Sequence, residues 1–173
     1  MAEERARNPN LISPASMTAM ASTAGSGKQL MSEIFTKVNN AKVKADKIAV
    51  LKQNDTPAMR MILKGAFDPK IEWDLPPGIP PFIKNEVPEG TQHTWLENES
   101  RRLYNFVKGG NNNLNKIKKE TLFIQILEGL HFKEADVLID VKNGTLNKTY
   151  KGLTSEVVKE AFNWNAEFAK PAE

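Results

Sequence analysis

Apolar residues recur along most of this chain at helical rather than strand spacing, and the pattern fails in two places. The first is residues 1–31, where Ala, Ser, Thr, Met and Gly follow one another without a sustained period. Such a stretch has no continuous face to bury and reads as a flexible leader. The helical period then sets in. Ser32 is placed to cap a helix whose apolar face is Ile34, Phe35 and Val38, ending at Asn39 and Asn40. A second helix, over 44–53, carries Ala45, Ile48, Ala49 and Leu51. Thr56 followed by Pro57 predicts an N-cap and a first helical position where the missing N–H has no cost. Met59, Ile62 and Leu63 then face inward.

The second failure follows Asp68 and Pro69. Ile71, Trp73 and Leu75 alternate with polar residues, which predicts one short strand. Pro76-Pro77-Gly78-Ile79-Pro80-Pro81 comes next. Proline fixes φ and restricts the residue before it, so this stretch is expected to run extended, near polyproline II. Helix resumes at Thr94, with Thr94 and Glu97 spaced as a capping box and Trp95, Leu96, Leu103, Phe106 and Val107 on the buried side. Gly109 and Gly110 end it. The strongest helix covers 114–129, with Ile117, Thr121, Ile124 and Leu127 on one face and Leu122, Phe123 and Ile126 beside them. So wide an apolar surface predicts the central helix of the bundle. Another helix over 132–142 stops at Asn143 and Gly144, and Thr154 caps a last one carrying Val157, Val158, Ala161 and Phe162. The fold class is therefore all-α: a compact bundle of six or seven short helices with one extended proline-rich central segment. The helical domain is expected over 32–166, with a C-terminal tail at 167–173.

Composition narrows the function. With 173 residues, 40% hydrophobic and 26% charged, the chain can build one globular core without cross-links. It has no cysteine, which excludes disulfides, thiol catalysis, zinc ribbons and iron–sulfur clusters. No apolar run has the length of a membrane span, and the start of the chain lacks the apolar core of an export signal, so no membrane association is expected. The net charge of +3 is distributed in blocks. Residues 37–52 hold five lysines against Asp46, and residues 101–119 hold six basic residues and no acid. Between them, residues 72–99 hold six acids against Lys84.

Motifs of catalysis are incomplete. Ser22-Thr23-Ala24-Gly25-Ser26-Gly27-Lys28-Gln29 approaches a phosphate-binding loop, but Ser22 stands where glycine is needed and Gln29 where a magnesium-binding hydroxyl is needed. His93 with Glu97, and Asp136 with Asp140, are spaced to share helical faces, yet no third or fourth group converges on either pair. A surface or capping role suits the histidines. No cofactor, metal or enzymatic activity is expected.

Two surfaces remain. Arg101, Arg102, Lys108, Lys116, Lys118 and Lys119 bracket a Gly/Asn loop with Tyr104 among them, a combination suited to a phosphate backbone and a stacked base of DNA or RNA. The proline segment is expected to act as a stiff strap pinned by Trp73, Ile79 and Phe82. Its other reading is a ligand for a partner's groove, with Trp73, Pro77, Pro80 and Phe82 as the contacts.

Two stretches carry a family likeness. One is Ile48-Ala49-Val50-Leu51-Lys52-Gln53-Asn54-Asp55-Thr56-Pro57-Ala58-Met59-Arg60, continuing to Leu75-Pro76-Pro77-Gly78-Ile79-Pro80-Pro81-Phe82. The other is Phe106-Val107-Lys108-Gly109-Gly110 with Phe123-Ile124-Gln125-Ile126-Leu127-Glu128, ending in Lys151-Gly152-Leu153-Thr154 and Glu160-Ala161-Phe162. Together they resemble a family of small proteins of large contractile-tailed bacteriophages, the myoviruses of cyanophage type. The resemblance implies a viral protein acting in the host bacterial cytoplasm, and it transfers no functional residues. The expected function is thus non-enzymatic: a phage protein that binds a phage or host protein, as an accessory factor during infection or a minor assembly component. The alternative is a nucleic-acid-binding accessory protein using the 101–119 block.

Overall fold

A computed structural model describes residues 29–164. Residues 1–28 of the expected leader, with nearly all of the near-match to a phosphate-binding loop, and residues 165–173, which include the expected tail over 167–173, lie outside the described residues.

The chain is all-α. Helices α1 (Met31–Asn40), α2 (Lys44–Gln53) and α3 (Pro57–Phe67) lead into the irregular segment, then come α4 (Leu96–Glu99) and a 3-10 helix (Ser100–Phe106). The remainder is α5 (Lys116–Gly129), α6 (Phe132–Asn143), α7 (Leu146–Thr149) and α8 (Ser155–Phe162). Most boundaries follow from local chemistry. The Thr56 hydroxyl accepts from Met59 N–H with Pro57 in the first turn, and the Thr154 hydroxyl accepts from Val157 N–H. Gly144 ends α6 in the left-handed region.

Residues before the expected boundary at 32 are already packed. Leu30 and Met31 are buried, and the Glu33 carboxylate accepts from Leu30 N–H where a Ser32 cap was expected. Ser32 sits inside α1.

The central helix is α6 and not α5. Helices α1, α3, α4, α5 and α7 all pack on α6, and Ala135, Val137, Leu138, Ile139 and Val141 are buried around it. Its centrality was masked in the sequence by two charged residues that are buried with it, Glu134 and Lys142. Conversely, α5 buries Phe123, Ile126 and Leu127 with Lys119 in line, while Ile117 is 77% exposed, Thr121 is exposed and Ile124 is half-buried. The apolar surface of α5 is wide because it serves two clients, the core on one side and the proline segment on the other. On the far side of the core, α2 packs on α8, and Lys44 pairs with Glu160 at 2.7 Å.

The expected helix over 94–107 is broken into a single α-turn and a 3-10 helix. The expected capping box is absent: the Thr94 hydroxyl donates to the Glu99 carboxylate at 2.8 Å, and Trp95 takes the N-cap position. Instead the buried Glu134 carboxylate reaches across from α6 and accepts from Leu96 N–H at 2.6 Å. A short helix start buried in a core must find an acceptor somewhere, and here another helix supplies it. Replacing Glu134 with Ala should therefore cost about 2–3 kcal/mol, because a buried N–H loses a charged acceptor. Urea unfolding of the two proteins measures this, with the denaturant slope unchanged.

Candidate functional site

The irregular segment after α3 is short of regular structure but rich in fixed contacts. Trp73 pairs with Val107 in a single antiparallel bridge rather than a strand, with Asp74 N–H on the Phe106 carbonyl and Lys108 N–H on the Glu72 carbonyl. The Trp73 indole N–H donates to the Gly65 carbonyl at 2.9 Å, and its ring lies against Gly65, where a Cβ would stand 3.0 Å from it. Trp73 is half-buried and packs on the core.

Beyond it, residues 76–83 form the strap, held from α6 and α5. The Lys142 ammonium donates to the carbonyls of Pro76 and Gly78, both at 2.8 Å, and to Asn143 Oδ1 at 2.7 Å. Asn143 Nδ2 donates to the same Gly78 carbonyl, and its Oδ1 accepts from Gly78 N–H. Gly78 takes φ of +88°, so the segment turns there and is not one polyproline II helix. The strap then runs alongside α5 in the same direction. Lys119 pairs with Asp74, Glu128 accepts from Ile83 N–H at 3.1 Å, and the Asn85 carbonyl accepts from Phe132 N–H at 3.1 Å.

Between strap and helix lies a groove of about 290 Å³, lined by Pro77, Ile79, Pro80 and Pro81 on one wall and Phe123 and Ile124 on the other. Phe82 turns inward and packs against the core. Ile79, expected as a pin, does the opposite. It is 75% exposed, and Ile83 is 78% exposed. Ile117, near the start of α5, is exposed as well.

The basic block does not survive as a block. Lys119 is buried and bonded to Asp74 at 2.7 Å, Lys108 to Glu72 at 2.6 Å and Arg102 to Glu99 at 3.1 Å. Lys116 lines the same small cleft as Asp74, Lys108 and Glu120. The acids of the middle segment thus fold back onto the bases that follow them. Arg101, Lys116 and Lys118 are exposed with no ion pair among the described residues, and Tyr104 is 54% exposed. Lys119 cannot be a contact to nucleic acid in this conformation.

A model for a family of unknown function, DUF6433, matches residues 34–148. The chain belongs to this family. No curated protein and no solved structure matches it. The DUF6433 region runs from α1 into α7 and so contains the strap, α5, α6 and every contact between them.

Other singled-out residues have structural roles. His131 is buried, caps α6 by accepting from Lys133 N–H at Nδ1, and stacks on Phe132. His93 is exposed. Asp140 is tied on both oxygens, to Thr145 and Thr149, and so fixes the turn into α7. Among the described residues no set of three or more acidic or histidine side chains is arranged to hold a metal ion, and no helix is long and apolar enough to cross a membrane. The residue that reading by motif missed is Lys142. Nothing in its sequence neighbourhood marks it, because its partners are backbone carbonyls 64 and 66 positions away.

Burial holds the Lys142 amine below the ordinary lysine range. Replacing it with Met keeps the stem but frees the strap, so amide exchange over residues 78–83 should rise at least about tenfold while that of α6 changes little. The acid side behaves differently. Bonds from Arg60, Lys108, Lys119 and Lys133 hold the carboxyls of Asp55, Glu72, Asp74 and Glu89 below their usual values. A carboxyl depressed on folding contributes stability that is full above its unfolded value and is lost as pH falls through its folded value. Tm should be flat from about pH 7 to about pH 5 and fall below roughly pH 4. Asp74→Asn should make that fall shallower.

Proposed function

We propose that this protein works by binding another protein chain through the strap and the adjoining face of α5. The observation that carries this reading is the exposure of Ile79 and Ile83 on a segment whose backbone is held by Lys142, Asn143 and Glu128. Apolar side chains on a slack loop would collapse inward or stay mobile. Here the backbone is held at Gly78, next to Ile79, and at the N–H of Ile83 itself. Such preorganisation lowers the ordering cost that a binding segment otherwise has on association. The groove beside them offers a partner side chain an apolar seat flanked by rigid prolines. No catalytic step enters this reading. The likeness to contractile-tailed phage proteins supplies a setting for it, an infected bacterial cell, in which the partner is a phage or host protein and the role is accessory or in assembly.

Tyr104 favours a second reading. An exposed aromatic near Arg101, itself unpaired among the described residues, keeps a smaller contact to single-stranded nucleic acid open, without Lys108, Arg102 and Lys119 as free cations.

One experiment separates the two. Tagged full-length protein is produced in infected cells, recovered at low salt, and its companions are quantified by mass spectrometry and by nucleic-acid staining. Companion proteins should be lost with Ile79→Asp plus Ile83→Asp and kept with Arg101→Ala plus Tyr104→Ala. Retention through the isoleucine pair of substitutions overturns the first reading. Nucleic acid that is released by raised salt and lost with the Arg101 and Tyr104 substitutions establishes the second.

A further inference from the structure

A second cavity, of about 500 Å³, lies between the C-terminal end of α3, the extended residues 71–77 and the end of α6. Phe67, Ile71, Trp73 and Leu75 line it, each half-buried, with Pro76 and Pro77 exposed at its rim. Four large apolar side chains are thus only partly withdrawn from water around one concave site. An apolar side chain entering it would remove that surface from water.

The chain approaches this cavity from α8. Asn163 ends that helix in the left-handed region, with φ of 54°. Trp164 follows and is buried, its N–H on the Lys159 carbonyl. Two cation–π contacts then set the path along α3. The Arg60 guanidinium lies over the Phe162 ring and the Lys64 ammonium over the Trp164 ring, both at 5.7 Å. Positions 60 and 64 share one stripe of α3, and the next positions on that stripe are 67 and 68. Phe67 and Asp68 both line the cavity. Residues after Trp164 therefore start one helical turn short of it. In Asn165-Ala166-Glu167-Phe168-Ala169-Lys170-Pro171-Ala172-Glu173, the large apolar side chain is Phe168. Four residues span up to about 14 Å, more than the one turn required. So short a tether gives an effective concentration in the millimolar range, at which even a weak apolar contact closes.

We infer that residues 165–173 dock back along α3 and seat Phe168 in this cavity, against Phe67 and Trp73. The inference stands apart from the protein contact proposed above, and NMR of the full chain tests it. Ring protons of Phe168 should show nuclear Overhauser effects to the rings of Phe67 or Trp73. Phe168→Ser should abolish them and shift the Trp73 indole signal. It should also speed exchange of the Trp73 indole N–H, which is bonded to the Gly65 carbonyl, at least about fivefold while exchange in α6 stays unchanged. Because the chain has no cysteine, a nitroxide on Ala172→Cys reports position independently. Its broadening should be strong at Gly65, Phe67 and Asp68 and should fade toward His131 at the far end of α6. A free peptide with the sequence of residues 165–173, at millimolar concentration, should move the Trp73 indole signal of the Phe168→Ser chain back toward the parent. A parent chain without these Overhauser effects, whose indole exchange is indifferent to Phe168→Ser, overturns the inference. So does a spin label whose broadening centres on another part of the surface, such as the groove beside Ile124.

Discussion

The ammonium of Lys142 organises the irregular segment between α3 and α4. It leaves α6 at its C-terminal end and binds two carbonyls of the strap and the amide oxygen of its own neighbour, Asn143. Among the described residues no carboxylate answers it, so oxygen dipoles offset the cost of burying the charge, and the amine is correspondingly less basic than an ordinary lysine. At the opposite end of the same helix, buried Glu134 reaches out to the first N–H of α4. A central helix thus carries a cation at one end and an anion at the other, each spent on a backbone segment that lacks regular hydrogen bonding. Together with Asn143 and Glu128, these two residues hold the strap and the turn of α4 in place.

This arrangement explains why the surface chemistry differs from what the charge blocks suggest. An acidic segment lies between two basic ones in the sequence, and extended chain is free to fold back over the helix that follows. Asp74 meets Lys119, Glu72 meets Lys108, and Glu89 meets Lys133. The two exposed pairs, Glu72 with Lys108 and Glu89 with Lys133, add little stability individually, whereas Lys119 is buried in its pair. Their main consequence is to register the strap against α5 and α6 and to neutralise cations that would otherwise attract a polyanion. What the strap leaves in water is apolar. Ile79 and Ile83, exposed on a held backbone, are the feature on which the proposed protein contact rests.

The helices and their ends were legible from the residues alone wherever local chemistry decides them. Thr56 with Pro57, Thr154, and Asn143 with Gly144 set boundaries through backbone groups three or four positions away, and the all-α class follows from the 3.6-residue period. Proline geometry likewise required an extended segment in the middle of the chain. Which helix lies at the centre was decided only by tertiary structure, because burial of Glu134 and Lys142 depends on acceptors and donors 38 to 66 residues distant. So were the loss of the basic block to Asp74, Glu72 and Glu99, the break of the 94–107 helix, and the exposure of Ile79 in place of its expected burial. Spacing reports which side chains share a face. It cannot report what that face will meet, since the energy of a buried charge or an exposed isoleucine is set by neighbours that only the folded chain brings within reach.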